Sequence, residues 1–293
     1  MIKVTCFGEV LWDVFPIHKK IGGAPLNVAL RLHSFGVDTG IVSRIGDDED
    51  GKDISQYLDD HNMNTTFVQI DDTFKTGCVN VTLDSYGSAT YDIEKPVAWD
   101  HIQLNEDIIN QVNESDAFIF GSLVCRNKTS KNTLLQLIEH ARFSVFDVNL
   151  RAPFYSIEVL VDLMNKADFI KCNDDEILEI TKELGFISKS LEECMRFLSK
   201  TTKTDKICVT KGGNGALLFC DNQFFKNNGY KVIVADTVGA GDSFLASLVF
   251  KLLSKEGFQE SLNFATAVGS IVASKKGANP LVSLNDVLSI SRN

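Results

Sequence analysis

The sequence predicts an α/β protein whose central sheet is mostly parallel and flanked by helices, with a small β-stranded lid as an excursion from that sheet. From about residue 115 onward, short apolar runs alternate with segments of helical spacing, the pattern of parallel strands joined by crossover helices. Residues 67–94 instead carry Val, Thr, Tyr and Phe in rough alternation, which is typical of a hairpin or meander. A length of 293 residues with 44% hydrophobic content suits one large core, so we predict a single domain over 1–293.

The first elements follow from short apolar runs, from helical spacing and from Gly36, which suits a helix C-cap. These elements are a strand at 2–8, a helix at 24–35, a strand at 41–43 and a helix at 50–60. The alternating segments that follow are 67–70, 76–84 and 88–94. We place the lid strands at about 11–17 and 67–94.

Strands and helices alternate regularly through the rest of the chain. The predicted strands are 117–121, 143–149, 168–173, 206–213 and 216–220. The predicted helices are 129–141, 156–165, 174–183, 190–200, 240–253 and 257–275. In sheets of this kind ligands bind beyond the carboxyl ends of the strands, so polar residues that follow a strand are candidates for a binding site.

The composition argues against several classes of protein. A net charge of −10 disfavours a nucleic-acid surface, which needs clustered Lys and Arg to contact phosphates. Seven dispersed cysteines without a CxxC pair indicate a reduced, cytoplasmic protein. The first residues look like a strand and not like a signal peptide, and no apolar run approaches the ~18 residues of a membrane span. We therefore expect neither nucleic acid nor a membrane as a partner.

The strongest candidate for chemistry is the segment DTVGAGD at 236–242, which directly precedes an apolar helix. Small residues at Gly239, Ala240 and Gly241 leave backbone N–H groups exposed at a helix N-terminus, which favours an anion such as a transferring phosphate. Asp242 in the first turn is held ionised by the same dipole and could accept a hydroxyl proton. The alternative is a plain strand-to-helix turn with a favourable first-turn acid.

A second candidate is the segment GGAPLN at 22–27. Glycines such as Gly23 let the backbone approach a ligand closely, and Asn27 offers the donor and the acceptor that sugar hydroxyls require. Asp13, which follows an early strand, could bind a polyol. The alternatives are a tight turn with a capping Asn and a solvated loop carboxylate.

Three further polar segments follow predicted strands. Arg151, in DVNLR, could hold an anion or a sugar oxygen, or form a strand-end salt bridge. Glu176 could order water around Mg²⁺, or form a capping box with Asn173 at a helix start. The glycines of TKGG, at 210–213, allow a nucleotide close to the backbone, but a β-hairpin turn explains them equally well.

Several common motifs are absent from the sequence. There is no GxxxxGK(S/T) phosphate loop and no GxGxxG after a strand, which argues against Walker-type NTPases and Rossmann dehydrogenases. No GxSxG or HExxH motif occurs.

Taken together and in this order, the motifs resemble those of the ribokinase-like, or phosphofructokinase-B, carbohydrate kinases, and most closely the fructokinases. The resemblance covers essentially the whole chain. The matching segments are GEVLWD (8–13), GGAPLN (22–27), RIGDDEDG (44–51), YDIEKPVAWD (91–100), FDVNLR (146–151), NDDE (173–176), TKGGNGA (210–216) and DTVGAGDSF (236–244). The DTxGAGD element is highly specific to this family, and the YDIEKPVAWD segment looks like the fructokinase branch.

The resemblance implies a role for each matching residue. Asp242 would be the catalytic base, and the backbone of Gly239, Ala240 and Gly241 would form the anion hole for the γ-phosphoryl group. The implied sugar ligands are Asp13, Gly23, Asn27 and Arg151. The implied contacts to ATP, Mg²⁺ and phosphate are Asn173, Glu176 (to Mg²⁺ through water), Lys211, Gly212, Gly213 and Asn263. The lid would close over the sugar and exclude water.

Many members of the family also bind a monovalent cation beside the anion hole, so K⁺ is a further expectation. The positions that match, mostly through backbone carbonyls, are Asp236, Val238, Val272, Lys275 and Gly277. Where ribokinases add a serine hydroxyl, this chain has Leu281, which weakens the case for a complete potassium site.

The resemblance favours fructose, phosphorylated to fructose 6-phosphate, as the acceptor. Ketodeoxygluconate, ribose or a nucleoside are alternatives in the same fold, and a non-catalytic sugar-binding regulator is a further one. A ketodeoxygluconate site needs positive charge for the carboxylate, and the predicted lid has only Lys75 and Lys95 and no Arg. Lid strands in this family often pair, so a homodimer through the lid is also an expectation.

Overall fold

The computed structural model describes residues 1–83 and 89–290. Within them a nine-stranded sheet has the strand order β13-β12-β11-β10-β9-β8-β1-β4-β5. Its strands are β1 (Lys3–Phe7), β4 (Asp38–Gly46), β5 (Val68–Asp71), β8 (Ala117–Gly121), β9 (Ser144–Asp147), β10 (Phe169–Asn173), β11 (Ile207–Thr210), β12 (Ala216–Cys220) and β13 (Gln223–Asn227). Pairing is parallel from β5 to β11, whereas the pairings of β11 with β12 and of β12 with β13 are antiparallel. The predicted α/β class is confirmed.

Helices connect these strands and cover the sheet. They are α1 (Ala24–Ser34), α2 (Glu49–Asp60), α3 (Glu106–Glu114), α4 (Lys128–Ile138), α5 (Ile157–Lys166), α6 (Asp174–Glu183), α7 (Leu191–Thr202), α8 (Ala240–Leu253), α9 (Phe258–Ala273) and α10 (Leu284–Ile290). Side-chain oxygens cap several of their first turns; Asp48, Asn105 and Ser156, for example, each accept a backbone N–H from the turn that follows. Because the helices cover the sheet, the central strands are buried.

Alternate residues of the central strands enter two different apolar clusters. Cys6 and Ile119 pack on one face of the sheet, whereas Phe7, Phe118 and Phe120 pack on the other. Strands that are apolar on both faces are expected in a parallel sheet covered by helices on both sides. The apolar runs of the sequence therefore have a direct structural cause.

A second, four-stranded sheet has the strand order β3-β2-β6-β7 and is called the small sheet below. Its strands are β2 (Leu11–Phe15), β3 (His18–Gly22), β6 (Gly77–Leu83) and β7 (Ala89–Ile93). The predicted lid segments 76–84 and 88–94 fall on β6 and β7, except that residues 84–88 lie outside the described part of the chain. Strand β2 pairs antiparallel with β3 and parallel with β6, so this sheet is mixed.

The predicted extent of the lid is corrected at two places. Residues 68–71 form β5, which pairs in parallel with β4 at the edge of the nine-stranded sheet and does not belong to the small sheet. Residues 18–22 form β3 of the small sheet, beyond the predicted end at residue 17. The sequence obscured β3 because His18, Lys19 and Lys20 are exposed and interrupt the apolar pattern.

Candidate active site

Polar residues of the candidate site, among them the predicted Asn173 and Lys211, follow strands that end at one edge of the nine-stranded sheet. Glu9 comes after β1, Asp147 ends β9, Asn173 ends β10 and Lys211 follows β11. These strands are parallel, so their carboxyl ends point in the same direction. This edge is where ligands bind in open α/β sheets.

Asp242 lies in the first turn of α8 and contacts the GGAPLN segment directly. The Nδ2 atom of Asn27 donates a hydrogen bond of 2.9 Å to Oδ2 of Asp242. Nδ2 of Asn279 in turn donates to Oδ1 of Asn27 at 2.8 Å. The structure therefore brings together two segments that are 215 positions apart in the chain.

The carboxyl group of Asp242 is in an environment that suits a base. Burial and the nearby charge of Asp147 raise its pKa to about 6, while Lys171, Asn27 and Arg151 favour the ionised form and limit the rise. At neutral pH the carboxyl group of Asp242 is therefore mostly ionised. A general base is most effective when its pKa lies near the working pH.

The glycine turn before Asp242 is constrained by its surroundings. Gly239 has a φ of 74°, and a Cβ at this position would lie 2.6 Å from Cα of Ala278. Ala240 and Gly241 begin α8, so their N–H groups lie at the positive end of the helix dipole. This geometry suits an anion, although the anion hole itself stays a prediction.

Lys171 is a site residue that the sequence analysis missed. Its side chain on β10 is buried, and its Nζ forms an ion pair of 2.9 Å with Oδ1 of Asp147. A Cβ on Gly241 would lie 3.5 Å from the same Nζ, so the ammonium group is directly beneath the glycine turn. A lysine inside the apolar run of β10 was the signal that could have identified it.

The charge of Lys171 is secured by carboxylates. Burial alone would lower its pKa, but Asp147, Glu176 and Asp242 together raise it. Oδ2 of Asp147 is buried without a hydrogen-bond partner among the described residues. The carboxylates therefore hold the ammonium group of Lys171 as a cation beside the glycine turn that precedes α8.

The predicted sugar ligands lie around the start of α1. Gly22 packs against the carboxylate of Asp13, and Gly23, with φ 113°, packs against the backbone carbonyl of Glu9. Burial raises the pKa of Asp13, and the charges of Arg151 and Lys20 oppose that rise. Asp13, Gly23 and Asn27 are therefore neighbours of one another, and Arg151 is within electrostatic reach.

Arg151 itself is exposed and makes a local contact. Its Nη1 donates to the carbonyl oxygen of Leu150 at 2.9 Å, so the salt bridge considered from the sequence is not formed among the described residues. Its charge nevertheless lowers the pKa of Asp242 against the larger effect of burial. The guanidinium is free to contact an anion at this edge.

Asn173 and Glu176 form the capping box that the sequence left as an alternative. The Asn173 side chain accepts the N–H of Glu176, and Oε2 of Glu176 accepts the N–H of Asn173, each at 2.8 Å. Oε1 of Glu176 also accepts the N–H of Leu150 at 2.8 Å. Each oxygen keeps a lone pair that could accept from metal-bound water, and the role towards Mg²⁺ stays a prediction. Within 1–83 and 89–290, no three His, Cys, Asp or Glu side chains form a metal-binding group.

The residues predicted to contact ATP form two groups. Gly212 and Gly213 are exposed, and a Cβ at either position would meet no atom within 4 Å, so this turn is open to a ligand. Burial and the charge of Lys226 lower the pKa of Lys211. Asn263 on α9 accepts side-chain hydrogen bonds from Asn227 and Gln259.

The residues predicted to hold a monovalent cation lie around the loop before α8. Asp236 accepts backbone N–H groups of Val238 and Gly277, each at 3.1 Å. The carbonyl of Val272 accepts the N–H of Lys275 at 3.0 Å. Nζ of Lys275 donates to the carbonyl of Leu281 at 2.7 Å, where that side chain is exposed. These contacts close the loop, and the cation site stays a prediction.

The fold and this arrangement define a phosphotransferase that acts on a small molecule. The chain belongs to the pfkB family of carbohydrate kinases, whose family model matches residues 2–284. The resemblance inferred from the motifs is thereby confirmed.

Similar proteins agree with this assignment. A probable fructokinase of Arabidopsis thaliana is 27% identical, and the alignment covers 99% of this chain and 93% of the relative. A putative sugar kinase of Pyrococcus horikoshii is 28% identical over 92% of this chain and 85% of its own length.

Solved structures show the same fold. A fructokinase from Xylella fastidiosa with bound ATP has a TM-score of 0.87 at 20% identity, covering 99% of this chain and 98% of that one. A 2-dehydro-3-deoxygluconokinase from Thermotoga maritima has a TM-score of 0.87 at 19% identity, covering 100% and 98%. The ribokinase-like fold is therefore confirmed, while identities this low do not define the acceptor.

One structural feature bears on the expectation that the chain has no membrane span. No helix among the described residues has both the length and the apolar character to cross a membrane. Another relative, 26% identical, is named as a chloroplastic probable fructokinase, so the cytoplasmic location stays a prediction.

Proposed function

We propose that the protein is an ATP-dependent fructokinase that converts D-fructose to fructose 6-phosphate. The observation that carries the kinase chemistry is the hydrogen bond from Asn27 to Asp242, because it joins the segment suited to a polyol to the group suited to a base. The choice of fructose is supported by relatives named fructokinase at 26–28% identity. The choice of ATP is supported by the Pyrococcus horikoshii sugar kinase, 25% identical, which was solved in complex with ATP.

In the proposed reaction Asp242 accepts the proton of the sugar hydroxyl. The hydroxyl oxygen forms a bond to the γ-phosphorus while the bond from that phosphorus to the β,γ-bridging oxygen breaks, and ADP leaves. The N–H groups of Ala240 and Gly241 and the ammonium group of Lys171 stabilise the charge on the transferring group. Bound Mg²⁺ would neutralise further phosphate charge.

Asp13, Gly23, Asn27 and Arg151 would hold the sugar so that one hydroxyl lies next to Asp242. Fixing this geometry is the larger part of catalysis in phosphoryl transfer, because little covalent chemistry falls to the protein. We further propose that the small sheet is a lid that closes over the sugar. By excluding water it would favour phosphorylation of sugar over hydrolysis of ATP.

A 2-keto-3-deoxygluconate kinase is the second candidate. The sequence disfavoured it because the predicted lid has few basic residues, but one structural observation favours it. Strand β3 belongs to the small sheet, so Lys19 and Lys20 add basic residues that the predicted lid lacked. Lys20 lies directly opposite Asp13 on the same face of that sheet, whereas Lys19 is paired with Asp50 and Asp53. The ammonium group of Lys20, which lies over the ring of Phe15 and forms no ion pair among the described residues, could bind the carboxylate of such an acceptor.

The decisive experiment is a coupled assay of ADP release with purified protein, ATP and Mg²⁺. Fructose, glucose, ribose, ketodeoxygluconate and adenosine are compared at equal concentration. We expect the highest kcat/KM with fructose, and the product is identified as the 6-phosphate by mass spectrometry and NMR. If ketodeoxygluconate is phosphorylated and fructose is not, the assigned acceptor changes and the assignment as a kinase stays. No turnover with any acceptor would favour a non-catalytic binding protein.

A further inference from the structure

Glu9 is a buried carboxylate that none of the assigned roles uses. It follows β1 at the carboxyl edge of the sheet, and only 5% of its surface is exposed. Its backbone carbonyl packs against Gly23, at the turn that begins α1. The backbone of Glu9 therefore contacts the segment proposed to bind the sugar.

One oxygen of this carboxylate has no partner. Oε2 of Glu9 is buried and accepts no hydrogen bond from any described residue, and Glu9 forms no ion pair within the described part of the chain. A buried acceptor without a donor is unfavourable, and native structures contain few of them. A donor supplied by a ligand would explain why the oxygen is kept in this position.

Two residues of the candidate site, Arg151 and Asp242, act electrostatically on the buried carboxyl group of Glu9. Burial raises its pKa to about 7; Arg151 opposes this rise and Asp242 adds to it, and the backbone amides of Glu9 and Ala24 also favour the ionised form. Glu9 is thus within electrostatic reach of the proposed sugar ligand Arg151 and of the proposed base. These two residues come from different segments, and both approach the site from the carboxyl edge.

We propose that Oε2 of Glu9 accepts a hydrogen bond from one hydroxyl of the bound sugar, so that Glu9 helps to determine which acceptor is used. The inference rests on the proposed function as a sugar kinase, but it does not depend on which sugar is phosphorylated. A site that is built to bind a hydroxyl discriminates strongly against an analogue that lacks it, because the protein group is then left unpaired. The other role that Glu9 could have is structural, through the amide of Ala24.

The test combines the variant Glu9→Gln with acceptors that each lack one hydroxyl. The variant keeps the shape of the side chain and one oxygen that can accept a backbone N–H. The NH2 group of Gln, which is a donor, takes the place of Oε2. We expect kcat/KM for the full acceptor to fall by about 10- to 100-fold, as for loss of a hydrogen bond to a charged group. One monodeoxy acceptor should show a similar loss with the wild-type protein and little further loss with Glu9→Gln.

Equal additional losses with every deoxy acceptor would overturn the proposal, because a structural role affects all acceptors alike. Glu114→Gln is the matched control: Glu114 pairs with Lys3 at the opposite end of β1, so kcat/KM should stay unchanged. If Glu9→Gln does not fold, as judged by thermal unfolding, Glu9→Asp enters the same comparison, since its shorter side chain also withdraws the oxygen.

The two proposals fail in distinguishable ways. Absence of fructose turnover by the wild-type protein overturns the fructokinase assignment, and the comparison is then made with the acceptor that is turned over. If no acceptor is turned over, sugar binding is measured by calorimetry with the same analogues. Wild-type affinity that does not depend on any single hydroxyl would overturn the role of Glu9.

Discussion

Two opposing sets of interactions act on the carboxyl group of Asp242. Burial and Asp147 favour its neutral form, whereas Lys171, Asn27 and Arg151 favour the carboxylate. The balance keeps the pKa near 6, which is above the usual value for Asp but below neutrality. The same residue is thereby basic enough to accept a proton and still ionised under neutral conditions.

This balance predicts an acidic limit to the reaction. Because the raised pKa belongs to a carboxyl group, Asp242 becomes protonated as the pH falls through about 6, and kcat/KM should then fall about tenfold per pH unit. The measurement is the pH profile of kcat/KM for the acceptor.

Asp242→Asn serves as the control for the pH profile. It should bind ATP normally and lose about 10²- to 10⁴-fold in kcat, because only the base is removed. The residual activity should lack the acidic limit near pH 6. Near-normal turnover of Asp242→Asn would contradict the assignment of the base.

Lys171 offers a second prediction at the level of single residues. Lys171→Met should lower kcat strongly and reduce the free energy of unfolding by about 3–5 kcal/mol, because Asp147 is left as a buried charge without a partner. The double variant Lys171→Met/Asp147→Asn should recover stability, since both charges are then absent, but not kcat. Denaturant unfolding and steady-state kinetics measure the two effects. Recovery of kcat together with stability would show that Lys171 has only a structural role.

The residues of the site were predictable to different degrees. Asp242 and Asn27 stand in motifs whose spacing is specific, so the sequence identified both before their hydrogen bond was seen. Lys171 lies inside the apolar strand β10, where a lone lysine is a weak signal, and Glu9 directly follows β1 with no local pattern that marks it. Their importance depends on contacts with Asp147 and Gly23, which the sequence places far from them.

At the level of elements, the N-terminal turn of α8 depends on a glycine that no other residue can replace. Gly239 combines a φ of 74° with close packing against Ala278. Gly36, after α1, has a similar φ of 77°, but a Cβ there would meet no atom within 4 Å. The two glycines therefore share a positive φ, which strains any other residue, but only Gly239 is closely packed.

This difference predicts different outcomes for two alanine variants. Both Gly239→Ala and Gly36→Ala should lose about 1 kcal/mol or more in the free energy of unfolding, because alanine disfavours positive φ. Only Gly239→Ala should also move the turn and lower kcat/KM, by about 10²-fold. Equal kinetics for the two variants would contradict a role of this turn in phosphoryl transfer.

The elements that the sequence predicted well are those whose pattern has a single cause. The strands of the nine-stranded sheet other than β5 and β13 are apolar because they are buried, and their predicted bounds differ from the observed ones by a few residues. Helix α3 and strands β3 and β13 were missed because more than half of their residues are polar or Gly, and α10 was missed because it has only seven residues. Strand β5 was assigned to the lid because alternation of polar and apolar residues cannot distinguish an edge strand from a strand of a separate sheet.

At the level of the whole molecule, one buried side chain connects the two sheets. Arg126 follows β8 of the nine-stranded sheet, and its guanidinium pairs with Asp100 at 2.7 Å. Nη2 of Arg126 also donates to the carbonyl of Glu94, directly after β7 of the small sheet. The guanidinium lies over the ring of Trp99, 3.8 Å from its centroid. The end of the small sheet is thus anchored to the body of the protein.

If the small sheet is a lid, loosening this anchor should affect water exclusion more than it affects phosphoryl transfer. The variant Arg126→Met/Asp100→Asn removes both charges together, so that no buried charge is left without a partner. We expect more ADP than sugar phosphate, whereas the wild-type protein should form them in equal amounts. Lys3→Met/Glu114→Gln, which removes an exposed ion pair at the opposite edge of the sheet, should keep that equality. An equal yield from the folded Arg126→Met/Asp100→Asn protein would contradict the proposal that the small sheet excludes water.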